Sequence, residues 1–220
     1  LKTVNRHGLI AGATGTGKTK TLQVFVEQLS HKGIPTLVMD IKGDLSGIAV
    51  EGEQNDKINE RYSKTKLPYQ PQSFPVELMT ISAEKGLKLR ATVTEFGPVL
   101  LSKILGLNET QSSIMSIVFK YADDKALPLI DLEDLKKVLQ YVTDNAVGKK
   151  ELADNYGSIS PASLGAILRS IVAMEQQGAT NFFGEPSFDV EDLLQTRGGK
   201  GVVNVLRVAD IQNQPQLFST

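Results

Sequence analysis

One short stretch, residues 12–19, constrains the fold of this chain more than any other feature. It reads GATGTGKT and fits the pattern G-x-x-x-x-G-K-[ST] at every fixed position. Residues 7–10, which precede it, have the composition of a short strand, and residues 20–31, which follow it, carry apolar side chains at helical spacing. A strand, a glycine-rich turn and a helix in this order predict an α/β fold.

The same arrangement is typical of a cradle for phosphate groups. Glycines let the backbone curve so that successive N–H groups face phosphate oxygens, and the helix N-terminus adds free donors and a positive dipole end. The loop therefore predicts binding of a nucleoside triphosphate, with Lys18 on the β- and γ-phosphates and the Thr19 hydroxyl on Mg²⁺. The residues expected to bind the nucleotide are Gly12, Ala13, Thr14, Gly15, Thr16, Gly17, Lys18, Thr19 and Lys20.

Further strands and helices follow along the chain. Gly33 is expected to end the first helix, and residues 35–40 read as a buried parallel strand that completes a βαβ unit. Residues 51–75 read as a polar, exposed insertion with one solvated helix. Other segments predict strands at 76–82 and 201–206 and a strand or extended arm at 87–93. Helices are predicted at 96–105, 109–121, 131–141 and 161–178. We expect a single domain spanning 1–220, with a helical insert over about residues 95–197.

Composition excludes several classes of function. The chain has 220 residues and no cysteine, so disulfides, thiolate catalysis and cysteine-based metal sites are excluded. Its net charge of −1 argues against a protein that coats nucleic acid non-specifically. No apolar run approaches the length of a membrane-spanning helix and residues 1–6 do not resemble a signal peptide, so we expect a cytoplasmic protein without membrane contact.

Catalytic groups are harder to assign than the cradle. Asp40 ends a predicted strand at the edge where ligands of such folds bind, so it is a candidate for Mg²⁺ or the attacking water, and the alternative is a cap or turn residue. Arg6 is a candidate cation for the nucleotide of its own or a neighbouring subunit. Residues 127–131 match a four-apolar-plus-Asp strand only loosely, because Pro128 suits a central strand badly and Asp131 is better explained as a helix cap.

Beyond these patterns, the chain resembles the HerA/FtsK-type branch of P-loop ATPases, and more closely the bacterial helicase HerA-like proteins. The resemblance spans nearly the whole chain and is most specific after the phosphate loop. It is carried by the segments NRHGLIAGATGTGKT, DIKGDLSG, EFGP, LGLNETQ, EQQG and FFGEP, at residues 5–19, 40–47, 95–98, 105–111, 175–178 and 182–186.

The resemblance implies a RecA-like α/β core that binds ATP with Mg²⁺, assembles as a homo-oligomer (a hexameric ring) and contacts DNA within that ring. It also implies that the acidic pair of the Walker B strand and a finger arginine follow the strand at 201–206. We therefore expect both groups beyond Thr220, and negligible ATP turnover by these 220 residues alone.

Two other functions stay open at this stage. A non-catalytic nucleotide-binding or assembly module would need only the cradle. A P-loop kinase would use the same loop, although no cluster of arginines suited to a kinase lid is visible. A GTPase fits less well, because the guanine-reading motif Asn-Lys-x-Asp does not occur.

Overall fold

The computed structural model describes residues 6–66 and 69–218. The chain divides into two compact units. The first comprises the described part of residues 1–79 together with 189–207, and the second comprises 80–188 with the described part of 208–220.

A four-stranded sheet with helices beside it makes this an α/β protein. Strands β1 (Thr36–Asp40) and β6 (Val203–Arg207) are parallel, in a register that places Thr36 opposite Val203 and Asp40 opposite Arg207. The other two strands of the sheet are β2 (Val76–Thr80) and β3 (Leu87–Lys88). The order of the strands across the sheet is β1-β6-β2-β3. A sheet of this kind with helices beside it is compatible with a Rossmann- or RecA-like fold, so the predicted α/β class is confirmed.

The first unit packs helix α1 (Lys18–His31) beside β1, and its apolar core is small. The helix ends in a Schellman motif at Gly33 (φ 75°), because Ile34 N–H donates to the Leu29 carbonyl at 3.0 Å and Gly33 N–H to Ser30 at 2.9 Å. Helix α2 (Asp56–Thr65) has no buried residue, as expected for a solvated helix in the polar insertion. The core residues are Val26, Leu45, Ile48, Phe74, Val203 and Val205.

Two predictions about the first unit are wrong. Residues 7–10 do not form a strand, and Leu9 is 90% exposed. A strand needs a hydrogen-bonded neighbour, and no strand among the described residues pairs with this segment, so the predicted βαβ unit lacks its first strand. Strand β1 was predicted to be buried, but it is only partly so: Leu37 and Met39 are 50% and 53% exposed. The reason is that β1 lies at the edge of the sheet, with a neighbouring strand on one side only among the described residues.

The second unit is built from five main helices around a tightly packed core. They are α3 (Val93–Ile104), α4 (Glu109–Asp124), α5 (Leu132–Asp144), α6 (Ala146–Tyr156) and α7 (Pro161–Gln176). Apolar side chains of α4, α5 and α7 face this core, where Met115, Leu135 and Ile167 are fully buried. A short helix, α8 (Pro215–Phe218), follows near the end of the described residues.

Two details of this unit differ from the sequence prediction. Helix α3 begins at Val93, three residues early, and kinks at Gly97 (φ 77°) before Pro98. Helix α6 was not predicted, because only Gly148 and Leu152 are buried along it and its apolar periodicity is weak.

Two short strands of the first unit, β4 (Thr196–Arg197) and β5 (Lys200–Gly201), form an antiparallel pair.

Candidate functional site

The loop before α1 adopts a conformation that its glycines make accessible. Gly15 and Gly17 have φ values of 81° and 94°, in the left-handed region that residues with a Cβ rarely occupy. A Cβ atom on Gly12 would lie 2.5 Å from Thr16 Oγ1, so a larger residue at that position would displace the Thr16 side chain. The fixed glycines of the sequence pattern therefore have separate steric reasons in this structure.

The side chains of Lys18 and Thr16 fold back over this loop. Lys18 Nζ donates to the carbonyl oxygens of Gly12 and Ala13, both at 2.8 Å. Thr16 Oγ1 also donates to the Ala13 carbonyl at 2.8 Å. These bonds place the ammonium group of Lys18 against the inside of the turn and leave it one further donor.

The N-terminus of α1 has no side-chain cap. Its N-cap residue is Gly17, and its first turn contains no acidic residue. The first backbone bond of the helix runs from Thr21 N–H to the Gly17 carbonyl at 2.9 Å, and among the described residues no acceptor is found for the N–H groups of Lys18, Thr19 and Lys20. Three unpaired donors at the positive end of a helix dipole favour an anion at this point.

Asp40 lies at the carboxyl end of β1 with its carboxylate buried (1% exposed). Its Oδ1 accepts bonds from the N–H groups of Lys42, Gly43 and Asp44 at 3.3, 2.8 and 3.2 Å, and its Oδ2 accepts one from Leu45 at 3.0 Å. These four bonds make Asp40 the residue that shapes the turn after β1, which is the alternative role left open by the sequence. Its predicted role at Mg²⁺ stays a prediction, and a direct metal bond would compete with one or more of these donors.

The turn shaped by Asp40 is tied to the helix of the phosphate loop. Gln23 of α1 is buried, and its Nε2 donates to the Asp44 carbonyl at 2.7 Å. Because this bond joins α1 to the turn at residues 42–45, the two sequence-predicted parts of the site are held together by a specific side chain. Sequence reasoning did not single out Gln23, since nothing in a helical pattern marks one polar residue as a tether.

For Mg²⁺, the structure offers oxygen ligands rather than a preformed cage. Among the described residues, no three or more His, Cys, Asp or Glu side chains are grouped so that they could hold a metal ion. The Thr19 hydroxyl is in the first turn of α1, half-buried beside the three free N–H groups. A hydroxyl and few protein oxygens suit Mg²⁺, which retains several waters and takes other ligands from substrate phosphates.

The candidate cation Arg6 and other basic residues have different surroundings. Arg6 and His7 are exposed, and Arg169 is exposed on α7. Arg90 donates to the carbonyls of Asn181 and Glu185 at 3.1 and 2.8 Å, so it holds a loop of the second unit.

One guanidinium that the sequence did not point to lies close to the phosphate loop. Arg61 Nη2 is 3.6 Å from the position where a Cβ atom would sit on Gly17. An arginine in a polar helix some 40 residues downstream carries no sequence signal for this placement. The proximity of Arg61 to the loop is apparent only from the position of α2 beside the start of α1 in the folded chain.

The helices of the described residues do not have the character of single membrane spans. No individual helix combines the length and apolar character that a membrane crossing requires, and α6 with α7 meets the criterion only as a pair bent by 106°.

Comparison with known proteins assigns the family. No curated protein matches the chain significantly. A family model described as "Helicase HerA-like C-terminal" matches residues 1–220. The chain therefore belongs to the helicase HerA-like C-terminal family.

Proposed function

We propose that this chain binds ATP with Mg²⁺ through residues 12–20 and forms the ATP-binding part of a DNA-translocating, helicase-like motor with a RecA-like core. The observation that carries the binding proposal is the uncapped start of α1, where three backbone donors and Lys18 converge on a loop with two left-handed glycines. Such a start favours the phosphates of a nucleotide over a neutral ligand.

Each residue has a distinct part in this proposal. The N–H groups at the start of α1 bind phosphate oxygens, and Lys18 exchanges one or both loop carbonyls for the β- and γ-phosphates. The Thr19 hydroxyl supplies one ligand to Mg²⁺, whose chemistry is to neutralise phosphate charge. Asp40 orders the neighbouring turn through its four N–H bonds, with its predicted contact to Mg²⁺ or a bound water as a further role.

The motor part of the proposal rests on family membership. A helicase HerA-like family member that binds ATP is expected to couple the nucleotide to movement on DNA, and to do so in a homo-oligomeric ring. We propose a hexamer in the cytoplasm, with DNA contacted through loops of the assembled ring. The near-neutral charge of the chain suits a few specific contacts better than a basic coat.

A non-catalytic nucleotide-binding module is the second candidate. It is favoured by the state of Asp40, whose carboxylate is already occupied by four backbone donors. The two candidates differ in turnover. DNA-stimulated ATP hydrolysis by the complete gene product would support the motor, and ATP binding with no hydrolysis in the presence of DNA would support the module.

Binding itself is tested by calorimetry and thermal unfolding with ATP–Mg²⁺ and GTP–Mg²⁺. At 100 times its Kd, ATP should stabilise the chain by about 2.7 kcal/mol, and GTP should do no better. Lys18→Ala should abolish the shift, because it removes the charged donor inside the loop. Lys32→Ala, which removes an exposed lysine at the opposite end of α1, is the matched control and should retain the shift. An unchanged ATP shift in Lys18→Ala would contradict the proposal.

A further inference from the structure

Helix α2 is ordered although it contributes nothing to the apolar core. None of its ten residues is buried. Its start is capped by Asn55, whose side chain accepts from Ile58 N–H at 3.0 Å. Its second half is held by Tyr62, which stacks on Tyr69 at a centroid distance of 4.6 Å, while Tyr69 O–H donates to the Glu53 carbonyl at 3.2 Å. A solvated helix fixed by such local contacts is well suited to present a side chain in a defined place.

The side chain that α2 presents to the phosphate loop is Arg61. Its Nη2 atom lies 3.6 Å from the Cβ position of Gly17, the N-cap of α1. No hydrogen bond or ion pair of the Arg61 side chain is found among the described residues. The adjacent Glu60 is engaged elsewhere on α2, in an ion pair with Lys64 at 2.6 Å.

This arrangement places several positive groups close together. The guanidinium lies beside the positive end of the α1 dipole, in the same loop region as the Lys18 ammonium, and no carboxylate of residues 6–66 and 69–218 forms an ion pair with it. A phosphate group resolves the repulsion, because it attracts the guanidinium, the ammonium and the free N–H groups together. Arginine suits this task since its planar fork matches two phosphate oxygens at once.

We propose that Arg61 is a phosphate-binding residue of the nucleotide site, supplied by the polar insertion of the same chain. The proposal rests on the function proposed above and extends it. It makes the polar insertion at residues 51–75 a functional part of the nucleotide site. The group that Arg61 would bind is a phosphate of the nucleotide held by the same chain.

The test is ATP–Mg²⁺ titration of the unaltered chain and of Arg61→Gln, Arg61→Ala, Lys57→Gln and Lys18→Ala. Both Arg61 variants should bind ATP–Mg²⁺ roughly 10- to 100-fold more weakly, the loss expected for one charge-assisted hydrogen bond. Lys57→Gln is the matched control, because it removes one positive charge from the same exposed helix one turn earlier and should leave the Kd within about twofold. Circular dichroism should show equal helix content in all variants, since Arg61 and Lys57 are exposed.

The outcomes separate the two proposals. If the unaltered chain binds no ATP–Mg²⁺, the proposed function fails and the role of Arg61 fails with it. If the unaltered chain binds and Lys18→Ala does not, but either Arg61 variant binds like the unaltered chain, only the role of Arg61 is overturned. An equal loss in Lys57→Gln would also overturn it, because the effect would then belong to the general charge of α2.

Discussion

The helices of the second unit and the first helix of the first unit begin in opposite ways. Helices α3, α4 and α5 each start with a complete capping box, formed by Thr92 with Glu95, Asn108 with Gln111, and Asp131 with Asp134. In each box the side chains satisfy backbone donors that would otherwise be free. Helix α1 starts on left-handed Gly17, with no capping side chain and no acidic residue in its first turn.

The difference is that the same kind of backbone group serves stability in one place and stays open to a ligand in another. A helix start with a capping box is more closed, because the box already supplies acceptors within the chain for the N–H groups of the N-cap residue and of the third helical residue. The start of α1 is open, and its free donors are available to a ligand. The chain thus forgoes local stabilisation at the one helix start that the sequence motif assigns to phosphate. Three predictions test this contrast, from the largest expected effect to the smallest.

The largest effect is expected for Gly17→Ala at the open start. The φ of 94° forces a residue with a Cβ into the left-handed region, which costs about 1–2 kcal/mol of unfolding free energy. Urea unfolding followed by circular dichroism measures the loss. Gly47→Ala is the control, because Gly47 has open space around its Cβ position and no positive φ. Equal stability of the two variants would show that the left-handed conformation is not required.

A smaller effect is expected for Asp131→Ala at a closed start. Loss of the bond from Asp134 N–H to Asp131 Oδ1, 2.9 Å long, should cost about 1 kcal/mol. The control is Asp144→Ala at the opposite end of α5, which removes an acid from the negative end of the dipole and should be neutral or slightly stabilising. If both variants lost the same stability in urea unfolding, the capping account of α5 would be wrong.

The smallest effect is a pH dependence in the capping box of α3. Hydrogen bonds from the Thr92 backbone N–H and then the Thr92 hydroxyl lower the pKa of Glu95 below its ordinary value of 4.5. A lowered folded-state pKa means that the stabilisation is present above about pH 4.5 and is lost as the pH falls through the folded-state value. The Tm difference between the unaltered chain and Glu95→Gln should therefore shrink between pH 7 and pH 3. A difference that grew on acidification would have the wrong sign.

The sequence predicted best what depends on neighbouring residues. The cap at Asp131 was predicted from the sequence, because a cap and the backbone N–H that it accepts from lie three residues apart. Residues 7–10 were misread because a strand depends on a partner that lies elsewhere in the chain, and local composition does not reveal it.

The parts of the site that the sequence missed are long-range contacts. Arg61 reaches Gly17 across 44 positions, and Gln23 reaches the turn at Asp44 across 21. No periodicity encodes either contact. The sequence placed Asp40 at the end of a strand, but its four backbone partners became apparent only from the folded turn.

The most direct test of the open helix start is an amide ¹H–¹⁵N NMR titration of the chain with ATP–Mg²⁺. The account predicts that the largest shift changes fall on residues 12–20, whose N–H groups include the three free donors at the start of α1. The amides at the closed starts of α4 and α5, such as Gln111 and Asp134, should hardly change, because their acceptors lie within the chain. Changes confined to the closed starts, or saturation by ATP–Mg²⁺ with no change at residues 12–20, would contradict the account.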